Sequence, residues 1–389
     1  MRVVMMNLFL VLCCCFGLTL RGAENRIWVD GTINGHRVRL GFDTGASDPI
    51  LFRSTAQRLR LKIIEPPTDF KPPPGQVAAG YTEPCDFVFG TLQTRGKFRV
   101  VDFPQELSNE AEGVLSWSLF RDKILSIDAV NQRVQIGDDL RENVVGWRKF
   151  ELRINSRMLG FRVAGEDARQ NSVYVDTGSE GGVALHPSLW KDWAAKHSNQ
   201  TATLTATFTP AVGLTVHQEL WANEISIGSI TLKDVPVSSE DEAHTLTVMP
   251  DHVATLGLFA LRRMDLVVDG KNGVVYAHTR AEPAPPYPHN RLGAVFVPRD
   301  MQSEPLLAHV APGSPAHLAG IRDKDALLKA DDLDVTKWRT DPRVMPLSRF
   351  WERPAGMSLK LTLKREQREF QITIVLRDIL GPEARQPGK

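Results

Sequence analysis

Two tripeptides of this 389-residue chain combine a carboxylate, a hydroxyl and a glycine in the same order: Asp43-Thr44-Gly45 and Asp176-Thr177-Gly178. Each follows an apolar stretch, Leu40-Gly41-Phe42 and Val173-Tyr174-Val175. A carboxylate just past the end of a buried strand is held rigidly, as a catalytic acid or base must be. Gly45 and Gly178 let the backbone turn sharply and bring peptide N–H groups to the carboxylate. Thr44 and Thr177 supply hydroxyls for hydrogen bonds across a junction. Two such turns brought face to face place two carboxyls in contact, where like charge forbids both from ionising, so the pair shares one proton. One carboxylate then takes a proton from water while the other, protonated, hydrogen-bonds a carbonyl. Asp43 and Asp176 are the candidate catalytic residues, supported by Thr44, Gly45, Thr177 and Gly178. Either motif alone is equally a solvated turn; the argument rests on the pair.

The elements that must position them are short strands. From Ile27 onward apolar runs of strand length alternate with turn residues, beginning with Ile27-Trp28-Val29 and Val38-Arg39-Leu40 around Asn34-Gly35, a tight-hairpin signature. An all-β body follows. The strands also repeat. Leu115 and Leu256, Asp128 and Asp269, and Asn131 and Asn272 recur at one spacing, 141 residues (269 − 128), and the Asp-Thr-Gly turns recur at 133 (176 − 43). The offset drifts as short loop insertions make it drift. One lobe is duplicated, so Asp43 and Asp176 hold the same position in two copies.

Composition limits what else the chain can be. With 42% apolar and 24% charged residues it is an ordinary globular sequence, too long for one core. Its net charge of +1 argues against nucleic acid as a partner. The ten histidines form no His-Glu-x-x-His pair, and neither a Gly-x-Ser-x-Gly nor a phosphate-cradling glycine loop occurs. No metal or cofactor is expected. Residues 1–23 hold Arg2, an apolar run from Val3 to Leu20, then Gly22-Ala23, the layout of a secretory signal. An uncleaved N-terminal membrane anchor is the alternative, and Cys13-Cys14-Cys15 leaves open a lipid-attached cysteine. The expected location is therefore outside the cytoplasm: periplasm, cell envelope or secreted. Beyond that segment only Cys85 remains, so no internal disulfide is expected.

Arg39 to Ser47 resembles the retropepsin form of an aspartic-protease active-site turn, and Val173 to Ser179 resembles its second copy. Gly113-Val114-Leu115-Ser116 and Ala254-Thr255-Leu256-Gly257 are similar to the segments that cross beneath those turns in the retropepsin-like and pepsin-like families. The resemblance covers about Ile27 to Ala277. It implies a mainly β, bilobal fold of tandem retropepsin-like lobes, and endopeptidase activity on peptide or protein substrates. Ser116 departs from it, standing where the family pattern has glycine. The family's flap hairpin corresponds to Gly75 to Tyr81, with Tyr81 as the candidate lid residue.

Beyond the stiff linker Glu282 to Pro288, the chain resembles a PDZ domain of the type appended to bacterial envelope proteases. The resemblance lies in Arg291-Leu292-Gly293-Ala294-Val295-Phe296 and in Val310 to Ile321, where Ser314-Pro315 opens a helix that Gly320 ends. It implies that backbone N–H groups of Leu292, Gly293 and Ala294 receive a peptide carboxylate, so protein C-termini become possible partners. Lys324 replaces a usual glycine there. The expected organisation is a signal over 1–23, an N-terminal lobe over 24–146, a C-terminal lobe over 147–280, a linker over 281–288 and a PDZ-like domain over 289–389. A rival reading keeps the fold but silences the catalysis, leaving a binding protein that acts through the PDZ surface.

Overall fold

The chain enters its first sheet through the hairpin at Asn34-Gly35. Trp28–Ile33 pairs antiparallel with His36–Asp43, and the two turn residues take the positive φ angles, 48° and 80°, that a two-residue turn of this hand requires. A computed structural model describes residues 18–19, 26–66, 79–90, 92–102, 112–154, 156–163, 171–209, 213–242, 245, 251–283, 285–300, 303–341 and 343–381. These residues make a mainly β protein, 46% strand against 11% helix, consistent with an aspartic-protease β-fold. Of the expected signal segment, only Leu18–Thr19 lies among them, as a two-residue strand beside Arg133–Gly137.

Two of the sheets share one order of strands. The first lobe's sheet runs Ile63–Ile64, Ala79–Thr82, Arg99–Val101, Ile50–Phe52, Gly113–Ser116, His36–Asp43, Trp28–Ile33, then the hairpin Cys85–Phe89 and Leu92–Gly96. The second runs Thr203–Thr209, Gly213–Ile227, Ile230–Ser239, Val183–Leu185, His252–Leu256, Ser172–Val175, Gly160–Arg162. Strand by strand the first seven correspond, and every neighbouring pair has the same sense. Gly113–Ser116 and His252–Leu256 each run parallel to the strand that leads into an Asp-Thr-Gly turn. Ile50–Phe52 and Val183–Leu185 each run parallel to the strand on their far side. All other neighbours in the corresponding set are antiparallel.

A third sheet ties the lobes together. Its central pair is Ile124–Asp128 from one repeat and Met264–Asp269 from the other, antiparallel, with Ile124 opposite Asp269 and Ile127 opposite Leu266. The same residues close each repeat. Asp128 accepts from the backbone and side-chain N–H of Asn131 at 3.1 and 2.6 Å; Asp269 does so from Asn272 at 3.0 and 2.7 Å. Leu125, Ile127, Leu266 and Val268, all buried, face one continuous core that spans both lobes. Each such side chain stabilises by about 2 kcal/mol through area removed from water. Cys85 lies in this core.

The C-terminal module has a core of its own, separate from that of the lobes. Its sheet runs Ala294–Pro298, Leu306–Val310, Ala326–Ala330, Ser358–Arg365, Arg368–Val375. Ser314 caps the short helix Pro315–Leu318, accepting from His317 N. Lys324 adopts φ 69°, the left-handed conformation that a glycine takes freely and that costs other residues roughly 1 kcal/mol.

Candidate active site

Both Asp-Thr-Gly turns leave the ends of buried strands. Phe42 and Val175, the last residues before the aspartates, are fully buried. Beside each runs a crossing strand: Leu115 pairs with Phe42 and Ser116 with Asp43, while Leu256 pairs with Val175. The backbone N–H of Asp176 donates to Leu256 O at 2.9 Å. The carboxylates are therefore fixed from two strands each.

The two turns lock together through their threonines. Thr44 Oγ donates to Val175 O at 2.6 Å and Thr177 Oγ donates to Phe42 O at 2.7 Å. Each hydroxyl also accepts the other threonine's backbone N–H, both at 3.1 Å. Thr44 and Thr177 are buried, so these four bonds have no competition from water.

Within each turn the carboxylate is aimed by its own backbone. Asp43 Oδ1 accepts from the N–H groups of Gly45 and Ala46, both at 2.9 Å. Asp176 Oδ1 accepts from Gly178 at 2.9 Å and Ser179 at 3.2 Å. The glycines are needed because the opposite carboxyl sits over them. A Cβ on Gly45 would lie 2.6 Å from Asp176 Cγ, and one on Gly178 would lie 2.5 Å from Asp43 Cγ. Asp43 and Asp176 thus converge across the junction, half-buried at residue level.

Their electrostatics follow from that contact. Burial, then the charge of Asp176 and a hydrogen bond to it, push the Asp43 carboxyl well above the ordinary carboxylate range. Asp176 is also raised by burial, but less, because Gly178 N–H, Asp43 and Ser179 N–H stabilise its anion. The pair titrates as a unit.

Ser116 fits without distortion of this frame. Its side chain is buried and shares a 2.5 Å hydrogen bond with Ser118 Oγ. The opposite copy has no such room: a Cβ on Gly257 would lie 2.4 Å from the Gly181 carbonyl oxygen.

Tyr81 stands on Ala79–Thr82, 45% exposed, with three strands between it and His36–Asp43. Residues 75–78 of the flap candidate lie outside the described residues. Leu292 and Gly293 have a partner within the chain. Both of their backbone N–H groups donate to Asn290 Oδ1, each at 3.0 Å, and Leu292 is buried; Ala294 opens the edge strand of the module. Among the described residues no group of three or more His, Cys, Asp and Glu is placed to hold a metal.

One residue near the dyad was not legible beforehand. Glu240 follows the strand Ile230–Ser239; burial pushes its carboxyl up to about 7, Thr255 hydrogen-bonds it, and it feels the charge of Asp176. Nothing in its sequence neighbourhood marks it, whereas Asn290, directly before Arg-Leu-Gly, has the side chain that commonly caps a following turn.

A family model described as aspartyl protease matches residues 29–116, the first catalytic turn and its crossing strand included. This supports a protease-like function in general. No curated protein matches. Among solved structures, basic 7S globulin from soybean is similar at 11% identity and a TM-score of 0.38, covering 68% of this chain and 94% of that one.

Proposed function

We propose that this chain is an exported aspartic endopeptidase that hydrolyses peptide bonds with the Asp43/Asp176 pair. The observation that carries this reading is the reciprocal geometry of the two turns, each carboxyl seated over the other turn's glycine. Asp176, ionised, accepts a proton from a water set between the carboxyls as that water attacks the scissile carbonyl. Asp43, protonated, donates a hydrogen bond to the carbonyl oxygen as negative charge develops there. The proton gained by Asp176 then passes to the leaving nitrogen, and the pair returns to its singly protonated state. The export and the PDZ-like character of the C-terminal module belong to the same proposal, resting on the apolar segment 3–20 and on Arg291 to Ile321. A silent protein acting through that module is the weaker reading, because Asn290 occupies two of the N–H groups that a peptide carboxylate would need.

The test is digestion of a peptide library by the purified chain across acidic and neutral pH. Wild type cleaves, with a bell-shaped pH dependence, and Asp43→Asn and Asp176→Asn each lose activity by about three orders of magnitude or more. Undiminished cleavage by either variant refutes the dyad.

A further inference from the structure

The matching sheet order gives the second lobe a counterpart of the first lobe's flap hairpin. Ile63–Ile64 and Ala79–Thr82 stand at the outer edge of one sheet; Thr203–Thr209 and Gly213–Ile227 stand there in the other. In the second hairpin Thr203 to Thr209 pair against Gly213 to Glu219. Its root is not free. Thr203 Oγ donates to Asn290 O at 2.6 Å, and Asn290 Nδ2 donates to Leu204 O and to Ala294 O, both at 2.9 Å. Leu204 is buried together with Val295 and Ala311 of the C-terminal module, and Val216 packs on them.

A second patch lies alongside. Trp221 and Phe259 of the lobe pack with Ile379 and Leu380 of the module, and Tyr287 of the linker packs on them. Tyr287 donates from its hydroxyl to buried Glu219 at 2.8 Å. His289 Nε2 accepts the backbone N–H groups of Ile379 and Leu380 at 3.2 and 3.3 Å. All five residues of the module's edge strand, Ala294–Pro298, are buried. The side chains of that strand are covered, and the turn before it is capped by Asn290.

The hairpin also borders an open groove on the second lobe. Val216, His217 and Gln218 line a cavity of about 360 Å³ with Trp190, Glu240 and Asp241. Glu240 is the carboxyl that interacts with Asp176. Val216 therefore touches the module on one side and the cavity on the other.

We propose that the C-terminal module is an internal brace whose ligand is the root of the second lobe's hairpin, and that it sets that hairpin's position along the groove that Glu240 lines. Its partner is this chain itself, not a free protein C-terminus. The functional half of the inference rests on the protease reading; the docking half does not.

Hydrogen exchange on the full chain separates them. Asn290→Ala removes the acceptor of two turn N–H groups and the donor to Leu204 O. Amides over 213–222 should then exchange at least about tenfold faster, while those of 252–256, behind the catalytic turn, keep their protection and report an intact fold. Tyr287→Phe, a milder change at the other patch, should loosen residues 219–221 without affecting 252–256. A fluorescein-labelled peptide ending in a free valine carboxylate should not bind wild type saturably. Unchanged hairpin protection in Asn290→Ala, or saturable binding of that peptide by wild type, overturns the brace. The exchange experiment gives the same answer on an Asp43→Asn background, so an absence of proteolysis does not decide it. If wild type cleaves peptides, Asn290→Ala should lower kcat/KM with no shift of the pH profile.

Discussion

Replacing Thr44 by valine tests the junction that brings the two carboxyls together. The substitution preserves shape and removes one hydroxyl. Two buried backbone groups lose their partners: Val175 O, which received the hydroxyl at 2.6 Å, and Thr177 N, which donated to it at 3.1 Å. An orphaned buried backbone group costs about 1–3 kcal/mol, so Thr44→Val should destabilise the body by about 4 kcal/mol. Thr44→Ser keeps both bonds and removes one methyl, which costs about 1 kcal/mol. Hydrophobicity alone gives the opposite order, because valine is the more apolar replacement. The measurement is urea unfolding followed by hydrogen-exchange mass spectrometry over 36–46 and 172–179, which reads the lobes apart from the separate core of the C-terminal module. With a slope near ~3 kcal/mol per molar urea, valine should lower the midpoint by roughly 1 M and serine by a few tenths. A valine midpoint equal to or above that of serine refutes the claim that these hydrogen bonds hold the two turns together.

Gly178→Ala sets a Cβ 2.5 Å from Asp43 Cγ, so the carboxyl must move; peptide cleavage should fall by about 100-fold or more with thermal stability little changed. Gly257→Ser and Ser116→Gly occupy matching positions with opposite outcomes: the first meets the Gly181 carbonyl and should cost about 3 kcal/mol in urea denaturation, the second about 1. Burial raises the Glu219 carboxyl from 4.5 to about 7, so the folded state binds its proton more tightly than the unfolded chain. That stability is fully present below 4.5 and is lost as pH rises through about 7, on the order of 3 kcal/mol in all. Glu219→Gln keeps an acceptor for Tyr287 and should flatten this part of the stability profile; an unaltered profile rules Glu219 out as its source.

Much of this arrangement could be read from residues alone because a duplication writes its signal twice. Asp-Thr-Gly, the crossing Leu115 and Leu256, and the Asp-x-x-Asn pairs each recur, and a β position that must stay buried tolerates few residue types. The partners of those residues were less legible. Thr44 and Thr177 carry hydroxyls in any arrangement, but their four bonds depend on the lobes meeting at one register, which no local spacing encodes. Glu240 and Asn290 gain their environments from strands far away in sequence, Thr255 for one and Leu204 for the other. The turn at Leu292-Gly293 shows the limit from the other side. Its sequence states that two N–H groups point one way, and only the fold states that Asn290 reaches them first.

A duplicated site also poses a question that duplication cannot answer: two identical carboxyls have no reason to divide the roles of acid and base. The difference must come from places where the copies diverge. Strand register matches Val101 with Ser239, each the last residue paired to the strand that follows its catalytic turn, and so matches Asp102 with Glu240. In the first lobe that carboxylate is exposed and bound at 2.5 Å by Arg53, which neutralises its field. In the second it is half-buried, hydrogen-bonded by Thr255 and within electrostatic reach of Asp176. Burial first, and the charge of Asp176 among the lesser causes, hold the Glu240 carboxyl above its ordinary range. The copies thus set different charges near the pair, through a residue that neither Asp-Thr-Gly motif contains.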